Sequence, residues 1–503
     1  MKRKLLSALL ILFVSFSLFA FGGEFWSISI QSSLDLNFGK KYENKRLYDS
    51  EYIDGFNNRP ILQLDLSLFK GPWTFINEAI ILSLRPPIVI DVDSMFTPMV
   101  RLGYLEYDDK FIYSSIGRRK QSIGISDINL FVNRDMPYYD GINLSIGKEK
   151  GFKYDALVSV SNLSWLGNPG SQWPSSPYEG YVANHGHPEE EQYNKGQHNK
   201  YFMFHSFSYE ADSWYLMIGE SAILANPKSI GDLNIFTNIH NENSTRANVG
   251  MEFQFAKIFK SEFMSYAMFG IDDLPALPEH SDPEMLADTP SALAFGGGVK
   301  WHIIKGDRFE YPTFDSDKGI RKNTTFGEMH GGLVISLDYA ATSRWFYIRS
   351  DVHNSSTIYF KGIQSFYNYL FNPQFVTDRD HFSVPFGPKY GGDAQIISLK
   401  GSYETRRYKI DSEIEVALLG RDARDRFLDY NYWGNADISI NEGDYNYSKL
   451  WITSGDIKPM LTFKANGEMG ITKWLSGHAG FSLTYAPFLP FKYNINFGVT
   501  AQY

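Results

Sequence analysis

The last residues of the chain alternate without a break. Tyr493, Ile495, Phe497, Val499, Ala501 and Tyr503 fall on one face of an extended segment, and Asn494, Asn496, Gly498, Thr500 and Gln502 on the other. Successive side chains of a strand point to opposite faces, so this segment is a strand with one apolar and one polar side. Leu62, Leu64, Leu66 and Leu68 oppose Gln63, Asp65 and Ser67 in the same manner. Further segments with this period pair Gly141–Ile146 with Tyr154–Val160, Tyr201–Tyr209 with Trp214–Ile218, and Met251–Phe255 with Glu262–Phe269. Tight turns such as Lys70-Gly71-Pro72 and Asp108-Asp109-Lys110 alternate with long polar connections near 39–59, 161–199, 222–246, 273–292, 362–393 and 420–447.

Short turns on one rim and long loops on the other predict an all-β fold: a single transmembrane antiparallel β-barrel with short periplasmic turns and long extracellular loops. Apolar side chains then face lipid and polar ones a wet lumen; an edge strand of a soluble β protein is the alternative for any one segment. The tally is 16–18 strands, and an even count is favoured because it puts both ends of the wall on one rim. The polar stretch from Lys305 to Glu328 breaks the pattern, falling where a short turn is expected. Either a strand pair is hidden there or a strand boundary is misplaced.

The N-terminus supplies an export signal. Lys2, Arg3 and Lys4 precede an apolar run from Leu5 to Phe21, and Ala20-Phe21-Gly22 offers small residues for cleavage. Residues 1–22 are read as a cleaved signal peptide and 23–503 as one barrel domain in the bacterial outer membrane, an uncleaved anchor helix being the alternative. The terminal strand 493–503 is the segment that barrel-insertion machinery would engage, and outer-membrane lipid is the expected surround.

Composition narrows the class. With no cysteine in 503 residues, neither disulfides nor thiolate metal sites are available. Aromatic residues make up 16% of the chain, which suits the two aromatic girdles of a membrane barrel. The net charge of −9 argues against nucleic acid, whose phosphates require a basic face.

Two loop-bordering segments are more specific. Gly117-Arg118 is followed by Asn133-Arg134-Asp135-Met136-Pro137-Tyr138-Tyr139-Asp140-Gly141-Ile142, and later comes Pro385-Phe386-Gly387-Pro388-Lys389-Tyr390-Gly391-Gly392-Asp393-Ala394. Both resemble segments of the Wzi-like capsule assembly family of outer-membrane barrels. Gly219-Glu220 and Phe269-Gly270-Ile271-Asp272-Asp273 are similar to two further strand ends of that family, in matching order from about residue 100 onward. The resemblance implies an 18-stranded barrel that holds or organises exported polysaccharide. Residues 39–59 are too short to supply the helical bundle that accompanies the barrel in the capsule-binding member, so the ligand differs or is absent.

On this reading Arg118, Arg134, Asp140, Gly141, Glu220, Asp272, Asp273, Gly387 and Asp393 form a lumen network. The same residues serve equally as structural turns and charge neutralisation. Sugar contact needs aromatic faces beside amides, which Trp165, Trp173 and Tyr178 offer in the loop 161–199, with Tyr138 and Tyr139 nearby. A solvated loop whose aromatics cover the rim is the competing reading. His185, His187, Glu189, Glu190, Glu191 and His198 match no closed metal-site spacing, and no cofactor is expected. No Gly-x-Ser-x-Gly, His-Glu-x-x-His or phosphate-binding loop is present, so the expectation is a non-enzymatic protein of surface polysaccharide attachment or assembly. The alternative is a porin or substrate-specific channel.

Overall fold

The computed structural model describes residues 21–39, 62–82, 99–132, 138–160, 200–225, 248–273, 292–312, 320–343, 387–420 and 457–502, a few single positions excepted, together with four short strands between 349 and 385. An 18-stranded antiparallel wall closes on itself. In chain order its strands are β1 (Trp26–Gly39), β2 (Leu62–Lys70), β3 (Trp73–Leu82), β4 (Met99–Asp108), β5 (Ile112–Ser122) and β6 (Tyr139–Gly147). Next come β7 (Gly151–Val160), β8 (Lys200–Glu210), β9 (Trp214–Ala225), β10 (Asn248–Phe259), β11 (Phe263–Asp273) and β12 (Ala292–Ile304). The wall ends with β13 (Gly332–Thr342), β14 (Ala394–Glu404), β15 (Tyr408–Leu419), β16 (Lys458–Thr472), β17 (Leu475–Tyr485) and β18 (Lys492–Gln502).

Each strand pairs with its sequence neighbour, and β18 returns to β1 through a register running from Gln31↔Gln502 to Gly39↔Asn494. Closure leaves the wall with no free edge, as a membrane-spanning sheet requires because lipid cannot hydrogen-bond to backbone groups. The outward parity is mainly apolar: Leu64, Leu68, Ile116, Ile142, Leu216, Phe253, Leu399, Leu461 and Phe497 are all exposed. Trp26, Trp73, Phe152, Trp214, Trp301, Tyr408 and Trp474 ring the short-turn rim, and neighbours stack, Tyr209 on Trp214 with ring centroids 4.9 Å apart. This is the girdle expected where barrel meets headgroups.

Among the described residues of this stretch, 305–312 and 320–331, no strand pair joins the wall. They turn into the barrel from the short-turn rim. Tyr311 lies over Gly470 of β16, and Ser476 of β17 donates to the Pro312 carbonyl. On its way back Ile320–Lys322 pairs in parallel with Lys120–Ser122 of β5. Gly331 and Gly332 take φ of +73° and +70° where the segment rejoins β13, and a Cβ on Gly332 would stand 1.8 Å from the Ile304 carbonyl oxygen. Only glycine fits that turn. The alternation broke here because the segment obeys the packing of the lumen rather than the period of the wall.

Candidate functional site

Two inward segments fill one side of the lumen, the strap 305–331 and residues 123–132 following β5. In the second segment Asn129, Leu130 and Val132 are fully buried, and Phe131 packs on Phe346 with centroids 5.7 Å apart. Polar wall residues hold it in place. Glu252 and Gln254, alternating inward on β10, receive the Leu130 amide at 3.4 Å and the Ile125 amide at 2.9 Å. Ser126 shares a 3.0 Å hydrogen bond with Tyr266, which in turn donates to Asp338. Asp127 pairs with Lys400 of β14 at 3.0 Å. Gly124, at φ +110°, lies where a Cβ would strike the Gln254 amide at 2.3 Å.

The strap meets this segment through Asn323. Its side chain accepts from the Gly124 amide at 2.9 Å and donates to the buried Asp155 at 3.2 Å. Thr324 donates to Glu210 at 2.6 Å, and Phe326 lies against Tyr215. On β4 and β5 the Arg119 guanidinium pairs with Glu106 and covers the Tyr104 ring at 4.2 Å, while Arg321 of the strap covers Tyr113 at 3.9 Å. Beyond the strands, the Glu328 carboxyl is held down at about 2 by hydrogen bonds from His330 and Lys322 that outweigh its partial desolvation. Buried ionisable groups of this kind persist in a low-dielectric interior only when paired and hydrogen-bonded, as these are.

Toward the long-loop rim the inner ends of β14–β16 are covered. Tyr390, Ala394, Ile396, Ala417, Leu419, Met460 and Ala486 form an apolar cluster that also takes in Ile128 of the inward segment. Glu415 receives the Tyr390 hydroxyl at 2.6 Å and Lys389 at 3.1 Å. Asp393, fully buried at φ +61°, donates its amide to the Ser343 carbonyl at 3.0 Å and accepts from the Gly420 amide at 2.9 Å. Gly387 is buried beside this turn.

The other sequence-derived candidates divide between the two faces of the wall. Arg118 forms a bidentate pair with Asp140, 2.8 Å on each arm, and its guanidinium covers Tyr138 at 3.8 Å. Both charged residues share parity with Ile116 and Ile142, so the pair lies on the outward face at the long-loop ends of β5 and β6 rather than in the lumen. Glu220 is also outward; it meets His205 Nε2 at 2.9 Å, and the Tyr154 hydroxyl meets His205 Nδ1 at 3.4 Å. Asp272 is buried, and a bulge separates it from Asp273. Gly141 is required for close approach, since a Cβ there would stand 1.9 Å from the Val158 carbonyl oxygen. Tyr138 and Tyr139 are buried and offer no open face to a sugar. Arg134, Trp165, Trp173 and Tyr178, the histidines of loop 161–199, and residues 1–20 of the export signal lie outside the described residues.

Sequence reasoning passed over Glu106, Arg119, Glu252, Gln254 and Asn323, which do most to close the lumen. Glu252 and Gln254 could have been noticed as polar residues recurring at period 2 between Met251, Phe253 and Phe255. Nothing local marks Asn323, whose partners are distant in sequence.

A closed barrel of alternating strands with an apolar exterior and an aromatic girdle is an outer-membrane β-barrel of the bacterial type. No protein-family model and no characterised relative matches the sequence. Among solved structures, the chain is similar to Wzi of Escherichia coli, an outer-membrane protein involved in group 1 capsule assembly and a carbohydrate-binding β-barrel, at 12% identity and a TM-score of 0.49 over 94% of this chain and 83% of that one. It is similar also to OccK3 of Pseudomonas aeruginosa, at 8% identity and TM-score 0.43 over 95% of both chains. OprD of the same organism matches at 10% identity and TM-score 0.40, over 95% and 94%. These likenesses are of architecture.

Proposed function

We propose that this barrel is a non-enzymatic element of cell-surface polysaccharide attachment or assembly. The observation that carries the reading is the packing of one side of the lumen. Leu130, Val132, Glu252 and Asp393 are fully buried inside a wall wide enough to leave a water channel, because two segments of the chain pack against its inner face. A channel needs a continuous wet path lined by suitable dipoles or charges, whereas a surface anchor can be plugged. The motifs around Asp140–Gly141 and Gly387–Asp393 support the same reading through their resemblance to capsule assembly barrels. Contact with the sugar is assigned to Trp165, Trp173 and Tyr178, whose rigid rings supply apolar area at low entropy cost beside amides that donate and accept.

Replacing these three aromatics by alanine is expected to release surface polysaccharide from whole cells while the heat-resistant barrel persists on gels. Unchanged retention would remove the proposal. The second reading, a substrate-specific channel, is favoured by the accessible polar inner face of β15–β18, and a gain or loss of solute flux in the same variant would support it.

A further inference from the structure

The outer face of the wall gathers ionisable groups in one place. Arg118 of β5 pairs with Asp140 of β6, and His205 of β8 with Glu220 of β9, all four at outward positions. Their side chains are between 15% and 25% exposed, so another surface can reach them. On the other strands the described outward positions between the girdle and this depth are uncharged. Lys70 and Lys257 stand at the short-turn rim, and Arg101 turns inward at a bulge to meet Gln63. The four clustered groups lie five to seven residues from the short-turn ends of their strands. A membrane strand needs about 9–11 residues to cross, so the cluster falls within the bilayer span. Ionisable side chains are costly there and mark a contact with a further polar group.

The order of these groups around the wall is self-complementary. On either side of β7 the flanking strands carry Asp140 and His205, and the next strands carry Arg118 and Glu220. β7 itself presents Ala156, in register with His205, whose small side chain permits close approach. A two-fold axis along the membrane normal through β7 sets β5 of one copy against β9 of its partner, and β6 against β8, at similar depth. Arg118 then faces the partner's Glu220, and Asp140 the partner's His205. Two-fold closure is the commonest arrangement of like chains, each contact being made twice. An anionic lipid headgroup suits the patch less well, because two carboxylates outnumber its one guanidinium. We propose that the outward face of β5–β9 binds a second copy of this chain, with Arg118 of each copy meeting Glu220 of the other inside the membrane. This interface stands independently of the polysaccharide reading.

The chain has no cysteine, so Val158→Cys places a single thiol on the outward face of β7, beside the axis. In bilayers holding the full barrel, a short membrane-permeant thiol-to-thiol cross-linker should join two copies of this variant. Leu461→Cys, outward on β16 across the barrel, should give little cross-linked product. Adding Arg118→Glu to the Val158→Cys barrel should lower the dimer yield roughly tenfold or more, since like charges then oppose each other twice. Exchanging both charges, Arg118→Glu with Glu220→Arg, should restore it. Within one copy these positions are four strands apart, about 19 Å, so rescue can come only from contact between copies. Heat-resistant gel mobility shows that each barrel forms. No dimer from Val158→Cys, equal yields from Val158→Cys and Leu461→Cys, or an exchange that fails to rescue a folded barrel would overturn the proposal. So would a monomer that retains lipid at this patch. If the Arg118→Glu barrel does not form, the two single-cysteine variants decide by themselves.

Discussion

Along β8, β9 and β11 the inward residues Phe202, Phe204, Tyr215, Met217, Met264 and Tyr266 are large, apolar and buried, whereas along β16–β18 the inward residues are polar, with Lys464, Asn466, Ser482, Asn494 and Asn496 accessible and Thr462, Ser476, His478 and Thr500 buried. The outward faces of the two halves do not differ in this way; both carry large apolar side chains to lipid. The contrast therefore arises inside. Where residues 123–132 and the strap occupy the lumen, wall side chains are dry on both faces and behave as a protein core. Where no described segment packs, the wall keeps a polar inner face. One half is held by packing and buried hydrogen bonds, the other by the ladder and the bilayer.

Substitutions should separate the halves, the largest effect coming from the packed one. Arg119→Leu strips Glu106 of its partner next to Tyr104 and Tyr113, and unfolding in lipid vesicles should show a loss of about 3–5 kcal/mol, the usual cost of orphaning a buried charge. Lys409→Leu in the open half breaks half-exposed contacts with Glu404 and Asp411, and should cost less than about 1 kcal/mol. Similar losses for both would erase the distinction.

Next in size is a comparison across the wall within the open half. Phe497→Arg places a charge on the lipid face and should destabilise by about 2–4 kcal/mol, while Asn496→Arg, one residue away and facing the lumen, should be far milder. Equal tolerance in a lipid folding assay would show that β18 has no lipid face.

The smallest expected effect is a pH response of the strap. Glu328 has its carboxyl depressed from 4.5 to about 2 by His330 and Lys322. A depressed carboxyl contributes stability fully above its ordinary value and loses it as pH falls through the folded one. Hydrogen-exchange protection factors in 320–331, corrected for the intrinsic pH dependence of exchange, should therefore be unchanged from neutral pH to about 5 and should fall from there toward pH 2, and Glu328→Gln should flatten that response. An unchanged acid response in the variant would assign it to other carboxylates.

The exterior was the legible part of this chain. Lipid imposes a strict period of 2, and Leu62–Leu68 and Tyr493–Tyr503 obey it. In the filled half the inward face was harder to read because its strands are apolar on both faces: Trp214-Tyr215-Leu216-Met217-Ile218 of β9 is legible as a strand, but nothing in it marks which face turns inward. The strap was invisible as a plug, since its polar residues find partners such as Asp155, Glu210 and Glu404 that lie far away in sequence. The motif charges were recognised as a set, yet one pair of neighbouring strands holds Arg118 with Asp140 and another holds His205 with Glu220, both on the outward face. Parity counted from Ile116 and Ile218 would have placed them there; grouping them by resemblance did not.

The account turns on whether the described segments close the lumen. Current across a planar bilayer containing the purified barrel tests this most directly. A closed lumen predicts conductance indistinguishable from the bare bilayer, with discrete steps appearing only when 123–132 or 305–331 is deleted. Stable stepwise conductance from the intact chain would contradict it and make the polar face of β15–β18 the wall of a channel.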